Sequence, residues 1–183
     1  YSFDRALLAM DHSPLFLSDD GESILAVFGL ADDAVERFRS VTVYRHGVLS
    51  RSFTRAELTG CKPREHCGMT YYNGDVIDHD KSHWGTPAYR RVFKEGISEE
   101  ERFLAEFPSF SANNHAYLID SRKQVHVFSL ESGENTRSAP FAALSGELKA
   151  LAHPPTAAEW CLPLVREGGA VVGCPFHAEI PDC

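Results

Sequence analysis

A chain of 183 residues, 43% apolar and 24% charged, is long enough to bury roughly two thirds of the surface its unfolded form exposes, and too apolar to stay disordered. With 26 acidic against 18 basic residues, a formal charge of −8, it lacks the clustered cationic surplus that phosphate backbones require, which excludes nucleic acid as a general partner. No run reaches the ~18 to 20 apolar residues of a membrane span, and the opening YSFDRALLAMDHS lacks the charged and apolar blocks of an export signal. The expectation is a single soluble domain over 1–183, secreted as an effector or cytoplasmic, with something upstream of Tyr1 missing, a removed signal or a larger parent chain, because the chain does not begin with Met.

In chain order, SILAVFGL is a buried-strand candidate, and residues 32–39 read as a short helix. SVTVYRHGVLSRSFTRAEL alternates with period two around His46-Gly47 and reads as a hairpin; its Arg45, Arg51 and Arg55 fall on a solvent face. A second hairpin is expected at Asn73-Gly74 in CGMTYYNGDVIDHD, because both centre positions of a type I′ turn need positive φ. The stretch HWGTPA, 83–88, is irregular and reads as a lid or a connection. Ser98 with Glu101 three residues on opens a helix over EEERFLAEF by a capping box. A third hairpin turns over Asp120 to Lys123 in HAYLIDSRKQVHVFSL. Residues 140–152 place Phe141, Leu144, Leu148 and Leu151 on one helical face, with Ser138 or Ala139 near the cap and Pro154-Pro155 as the stop. A fourth hairpin is expected around Gly168-Gly169.

Strands joined by such short turns run antiparallel, and the helices that parallel βαβ units need between strands are missing. The fold class is therefore α+β: a mainly antiparallel β-sheet built from successive hairpins, with a few helices packed on one face.

Five cysteines are many for a cytosolic chain, few for a disulfide-dense mini-domain, and odd in number, so at least one stays unpaired or acts. Cys161, Cys174, His177 and Cys183 supply four soft or borderline ligands of the kind tetrahedral zinc accepts, with Cys174 and His177 spaced as one tight knuckle. Structural zinc, a pair of disulfides and inert thiols are the readings of this tail. Cys61 and Cys67 enclose a five-residue loop, a length at which a local disulfide is feasible.

The alternative for Cys67 is nucleophilic. It follows Arg64 and His66, cations that depress a thiol pKa, and precedes Gly68, which gives room for a substrate. Such a thiol needs a histidine to take its proton and a further group to orient that histidine. His115 opens a strand after a polar turn, the hairpin from Ala116 to Leu130 carries Glu131 back beside it, and Asn113 or Asn114 offers an amide instead. Catalysis by Cys67, His115 and Glu131 would make the chain a cysteine hydrolase, deamidase or acyl transferase acting on an amide or acyl group of a small-molecule or protein substrate. Asp78, His79, Asp80 and His83 form a further oxygen and imidazole group, which strand alternation splits between two faces. The second function class is a non-catalytic binding or effector domain, stapled by disulfides or zinc, that meets its partner through Tyr71, Tyr72 and Trp84.

Val43-Tyr44-Arg45, SFS at Ser109 to Ser111 and ESGE at Glu131 to Glu134 together resemble the three motifs of ADP-ribosyltransferase toxins. The resemblance covers about a dozen residues; it implies NAD as cosubstrate, with Arg45 gripping the dinucleotide.

Overall fold

A computed structural model of the chain describes residues 14–27, 39–62, 65, 67–76 and 93–152. The chain divides into two compact units, Tyr1–Tyr72 with Phe103–Ala152, and Asn73–Arg102 with His153–Cys183.

The first unit holds two four-stranded antiparallel sheets, each a meander in sequence order. Strands β1 (Leu15–Leu17), β2 (Ser23–Val27), β3 (Arg39–Arg45) and β4 (Val48–Thr54) make one; β5 (Ser109–Ala112), β6 (His115–Ile119), β7 (Gln124–Ser129) and β8 (Asn135–Pro140) make the other. The α+β class built from hairpins is therefore what forms. SILAVFGL supplies β2, in which Leu25, Ala26 and Val27 are fully buried. The expected turn at His46-Gly47 joins β3 to β4, with φ of 50° and 78°, the doubly positive geometry of a type I′ turn. The Asp120 to Lys123 turn joins β6 to β7, and Leu118 faces His126 across it.

Three strands exceed the sequence reading. β1 is only three residues long, too short to show alternation. β5 pairs with β6 across Asn113-Asn114, whose φ values of 50° and 58° make a second type I′ turn; asparagine tolerates the left-handed region because its side chain bonds locally. β8 carries charge and ends in proline, as an edge strand can. The expected Asn73-Gly74 hairpin does not form. Gly74–Val76 is a 3₁₀ turn, closed by Asn73 Oδ1 accepting from the Asp75 N–H at 3.1 Å, and 67–73 belong to no strand. The dipeptide made a turn, but with no strand over 67–73 to lead into it no hairpin could form there. The fourth hairpin, around Gly168-Gly169, and residues 32–38 lie outside the described residues; Arg39 opens β3.

Two cores follow from the alternation of the second sheet. On one face Ala116, Leu118, Phe128 and Leu130 pack with Phe16, Leu25, Val27, Val41 and Val43 of the first sheet, and with Met69 from the loop after α1 (Arg55–Thr59). On the other, Tyr117, Ile119, Val125 and Val127 meet Phe103 and Leu104 of α2 (Glu99–Glu106) and Phe141, Leu144 and Leu148 of α3 (Phe141–Leu151). Helices thus cover one face, and α3 is the longest helix among the described residues. Its N-cap is Pro140, with no side-chain cap, rather than Ser138 or Ala139. Pro140 is also the last residue of β8, so strand and helix abut with no loop in which a capping side chain could sit. Phe103 lies 5.6 Å from Phe141, ring to ring, which ties the two helices together.

In the second unit, Ser98 and Glu101 make the capping box read from the sequence: Ser98 Oγ accepts from the Glu101 N–H at 3.2 Å, and Glu101 Oε2 accepts from the Ser98 N–H at 3.4 Å. The Arg102 guanidinium stands 5.5 Å over the Phe93 ring.

Ser40 Oγ and Thr42 Oγ1 on β3 are buried, and neither has a hydrogen-bond partner among the described residues. An unpaired buried hydroxyl costs the free energy of its lost hydration, while valine has the same shape and prefers strands. Thr42→Val is expected to raise unfolding stability by about 1 kcal/mol in urea titration. A loss of that size would mean the hydroxyl is partnered.

Candidate functional site

The loop from Cys61 to Tyr72 is where the sequence put its nucleophile, and each of its ends is anchored. Thr54 caps α1 in a capping box with Glu57, and the helix ends at Gly60 in the left-handed conformation (φ 65°). The next residue, Cys61, donates its N–H to Thr59 Oγ1 at 3.2 Å. At the far end Gly68 is held on both sides by Ser121: its N–H donates to Ser121 Oγ and its carbonyl accepts from the Ser121 N–H, each at 3.0 Å. Tyr71 donates to the Ile119 carbonyl, which lays the segment beside the end of β6. Tyr72, immediately after, is 78% exposed, while Tyr71 packs against the helix-covered core.

Between these anchors Cys61 and Cys67 are joined by a disulfide, with Cα atoms 6.5 Å apart and both residues buried. Glu65 lies against the bridge. Its Oε2 accepts from the Lys62 N–H at 2.9 Å and from the Arg122 guanidinium at 2.7 Å, and these bonds hold its carboxyl below the ordinary carboxylate range, the Lys62 N–H contributing most. One ligand atom each from Cys61, Glu65 and Cys67 lie within 4.8 Å of one another.

His115 and Glu131 stand at one end of the β6–β7 hairpin, and the Cys67 loop meets the other. His115 faces Ser129 across the β6–β7 ladder, and the Leu130 N–H donates to the Asn114 carbonyl, so the exposed Glu131 begins its turn at that end of the hairpin. His115 Nδ1 donates to the Asn113 carbonyl at 2.8 Å, a backbone group orienting the imidazole in place of an amide side chain. The Cys67 loop meets the opposite end of β6, at Ile119 and Ser121. The four residue steps from His115 to Ile119 span about 13 Å of strand, beyond the ~3 Å reach of a nucleophile and its base.

Sequence reasoning missed a buried polar chain one strand further on. Asp120 Oδ1 accepts from the N–H groups of Arg122 and Gln124, both at 2.8 Å, closing the β6–β7 turn. Its Oδ2 lies 3.3 Å from His126 Nε2, and His126 Nδ1 lies 3.0 Å from Ser138 Oγ on β8. Asp120 and His126 are 0% and 1% exposed. Serine, histidine and aspartate in contact share the residue types of a hydrolytic triad, here with the histidine and aspartate closed off from solvent. The Asn135 amide is satisfied at both ends when turned so that its nitrogen donates to the Val127 and Arg137 carbonyls, at 3.2 and 2.9 Å, and its oxygen meets Ser138 Oγ at 3.0 Å. Ser138 Oγ thus has both the Asn135 amide and the His126 ring within hydrogen-bond distance. The chain pins a turn and three strands. Its signal in sequence was a histidine placed among strand apolars in QVHVF, a position that burial makes costly without partners.

Of the motifs that resemble ADP-ribosyltransferases, Val43 to Arg45 end β3, Ser109 to Ser111 lie on β5, and Glu131 to Glu134 form the β7–β8 turn. Arg45 Nη2 stands 3.5 Å from Glu22, and Glu134 pairs with Arg51 at 2.8 Å. Cys161, Cys174, His177 and Cys183, the group at Asp78, His79, Asp80 and His83, and Trp84 lie outside the described residues. No helix among the described residues is long and apolar enough to cross a membrane.

Comparison of the chain with protein-family models, with curated proteins and with solved structures finds no match.

Proposed function

We propose that this chain is a non-catalytic binding domain in which the Cys61–Cys67 bridge staples the segment bearing the exposed Tyr72. The observation that carries the reading is the bridge itself: a sulfur bonded to another sulfur and buried has no thiolate to attack a carbonyl. The distance along β6 from the loop to His115 supports it further. A tyrosine exposed beside a rigid loop offers a partner protein contact area at little cost in side-chain entropy.

Alkylation of the non-reduced protein at neutral pH, read by peptide mass spectrometry, tests the reading. Cys61 and Cys67 are expected to stay unlabelled and to elute as one linked peptide. Cys67→Ala is expected to lower stability by about 2 kcal/mol, the chain-entropy value for so short a loop. Fast labelling of Cys67, with stability unchanged in the alanine variant, would instead restore a thiol hydrolase, deamidase or acyl transferase working through Cys67, His115 and Glu131.

A further inference from the structure

The bridge and its glutamate have a second chemistry once the bridge is opened. Two thiolates on one zinc ion, each bonded at ~2.3 Å, stand no more than about 4.6 Å apart, and a carboxylate oxygen bonds the same ion at about 2.0 to 2.2 Å. The ligand atoms of Cys61, Glu65 and Cys67 already lie within 4.8 Å of one another, so a single ion needs only small movements of side chains. Their backbone is held from outside the loop, by the capped end of α1 on one side and by Ser121 on the other, and Arg122 holds Glu65. None of these anchors is a sulfur, so opening the bridge leaves them in place.

We infer that Cys61, Glu65 and Cys67 form a redox-gated site for a thiophilic divalent cation of the zinc type: closed as a disulfide when oxidised, and a two-thiolate, one-carboxylate ligand set when reduced. In the opening step an external dithiol supplies two electrons and two protons. The Cys61–Cys67 bond breaks to two thiols and the dithiol leaves as its own disulfide. The metal then displaces both thiol protons to solvent as two sulfur–metal bonds form. Three protein ligands leave the fourth tetrahedral position to water or an outside donor, the arrangement of an exchangeable or reactive site rather than a closed structural one. The staple of the oxidised protein is thereby replaced by a metal cross-link at the same two residues.

The inference goes beyond the binding-domain reading and fails separately from it. Its test uses Co(II), whose thiolate charge-transfer and d–d bands report sulfur ligation, on the full chain with Cys161, Cys174 and Cys183 replaced by Ser to remove the tail as a competitor. Far-UV circular dichroism of the oxidised variant first establishes that it folds as the parent does. After reduction by a dithiol and its removal without oxygen, the variant is expected to bind one equivalent of Co(II) with tetrahedral thiolate bands, and the oxidised variant to bind none. Glu65→Gln is expected to weaken binding at least about tenfold, the smaller effect seen even for groups that only support a ligand. Adding Zn(II) should bleach the cobalt bands. Absent thiolate bands in the reduced variant, or bands unchanged by Cys67→Ser, would overturn the site. Unaltered affinity in Glu65→Gln would overturn its carboxylate arm and with it the three-ligand assignment. Whether the bridge exists at all is read independently, by the alkylation of non-reduced protein described above.

Discussion

Asp120→Ala is expected to lower unfolding stability by about 3 to 5 kcal/mol, because it leaves three groups without their partner at about 1 to 3 kcal/mol each. The substitution deletes three contacts of one side chain: two N–H donors of the β6–β7 turn lose their acceptor, and His126 loses the carboxylate 3.3 Å away. Because His126 is 1% exposed, water cannot replace that partner without opening the strands around it. Asp120→Asn separates the two roles. The amide oxygen keeps the turn N–H bonds and the amide nitrogen faces the imidazole, so about 1 to 2 kcal/mol is expected, close to the value of a single hydrogen bond to a charged group. Urea titration with the slope held constant measures both. Equal losses for Ala and Asn would show that the contact with His126 rather than the turn dominates, and a loss below about 1 kcal/mol for Ala would show that these contacts are not structural. Ser138→Ala is the milder control, since its hydroxyl lies on an exposed edge residue.

Phe128→Ala is the second large effect, about 3 to 5 kcal/mol, as for other buried aromatic truncations. Phe128 is fully buried in the core that joins the two sheets, and its ring meets Phe53 of β4 edge-on with centroids 5.4 Å apart. Collapse around the cavity is limited, because the neighbours come from two sheets whose backbones are fixed by their own ladders. Phe128→Leu, which keeps most of the volume, should lose about 1 kcal/mol. A double-mutant cycle with Phe53→Leu should return about 0.5 to 1.5 kcal/mol of coupling, the value of an aromatic pair beyond its buried area. Coupling near zero would mean that the ring pair is a packing coincidence.

The hairpins show how far local chemistry reaches. His46-Gly47 and Asp120 to Lys123 were legible because turn residues with left-handed tolerance stood between alternating runs, and each turn formed where it was read. Asn113-Asn114 carried the same signal, but in SANNHAY the run before it is polar and short, so β5 escaped notice. Asn73-Gly74 misled for the opposite reason. Its turn chemistry is real, yet Met69 before it is buried in the core and Tyr71 is bonded to Ile119, so residues 67–73 are engaged by other elements and join no strand ladder.

The candidate site divides in the same way. By itself the sequence determined the antiparallel α+β class, the capped start of α2, the apolar face of α3 and the feasibility of a bridge between Cys61 and Cys67, because each depends on residues within about one turn or one hairpin of each other. Only the tertiary structure decided that two sheets share one core, that the Cys67 loop docks at the Ser121 end of β6 while His115 stands at the other, that Glu65 and Arg122 meet across 57 residues, and that Asp120, His126 and Ser138 form one chain. These are pairings between segments far apart in sequence. Their register is set by which apolar faces can be buried together, a property that no single segment carries.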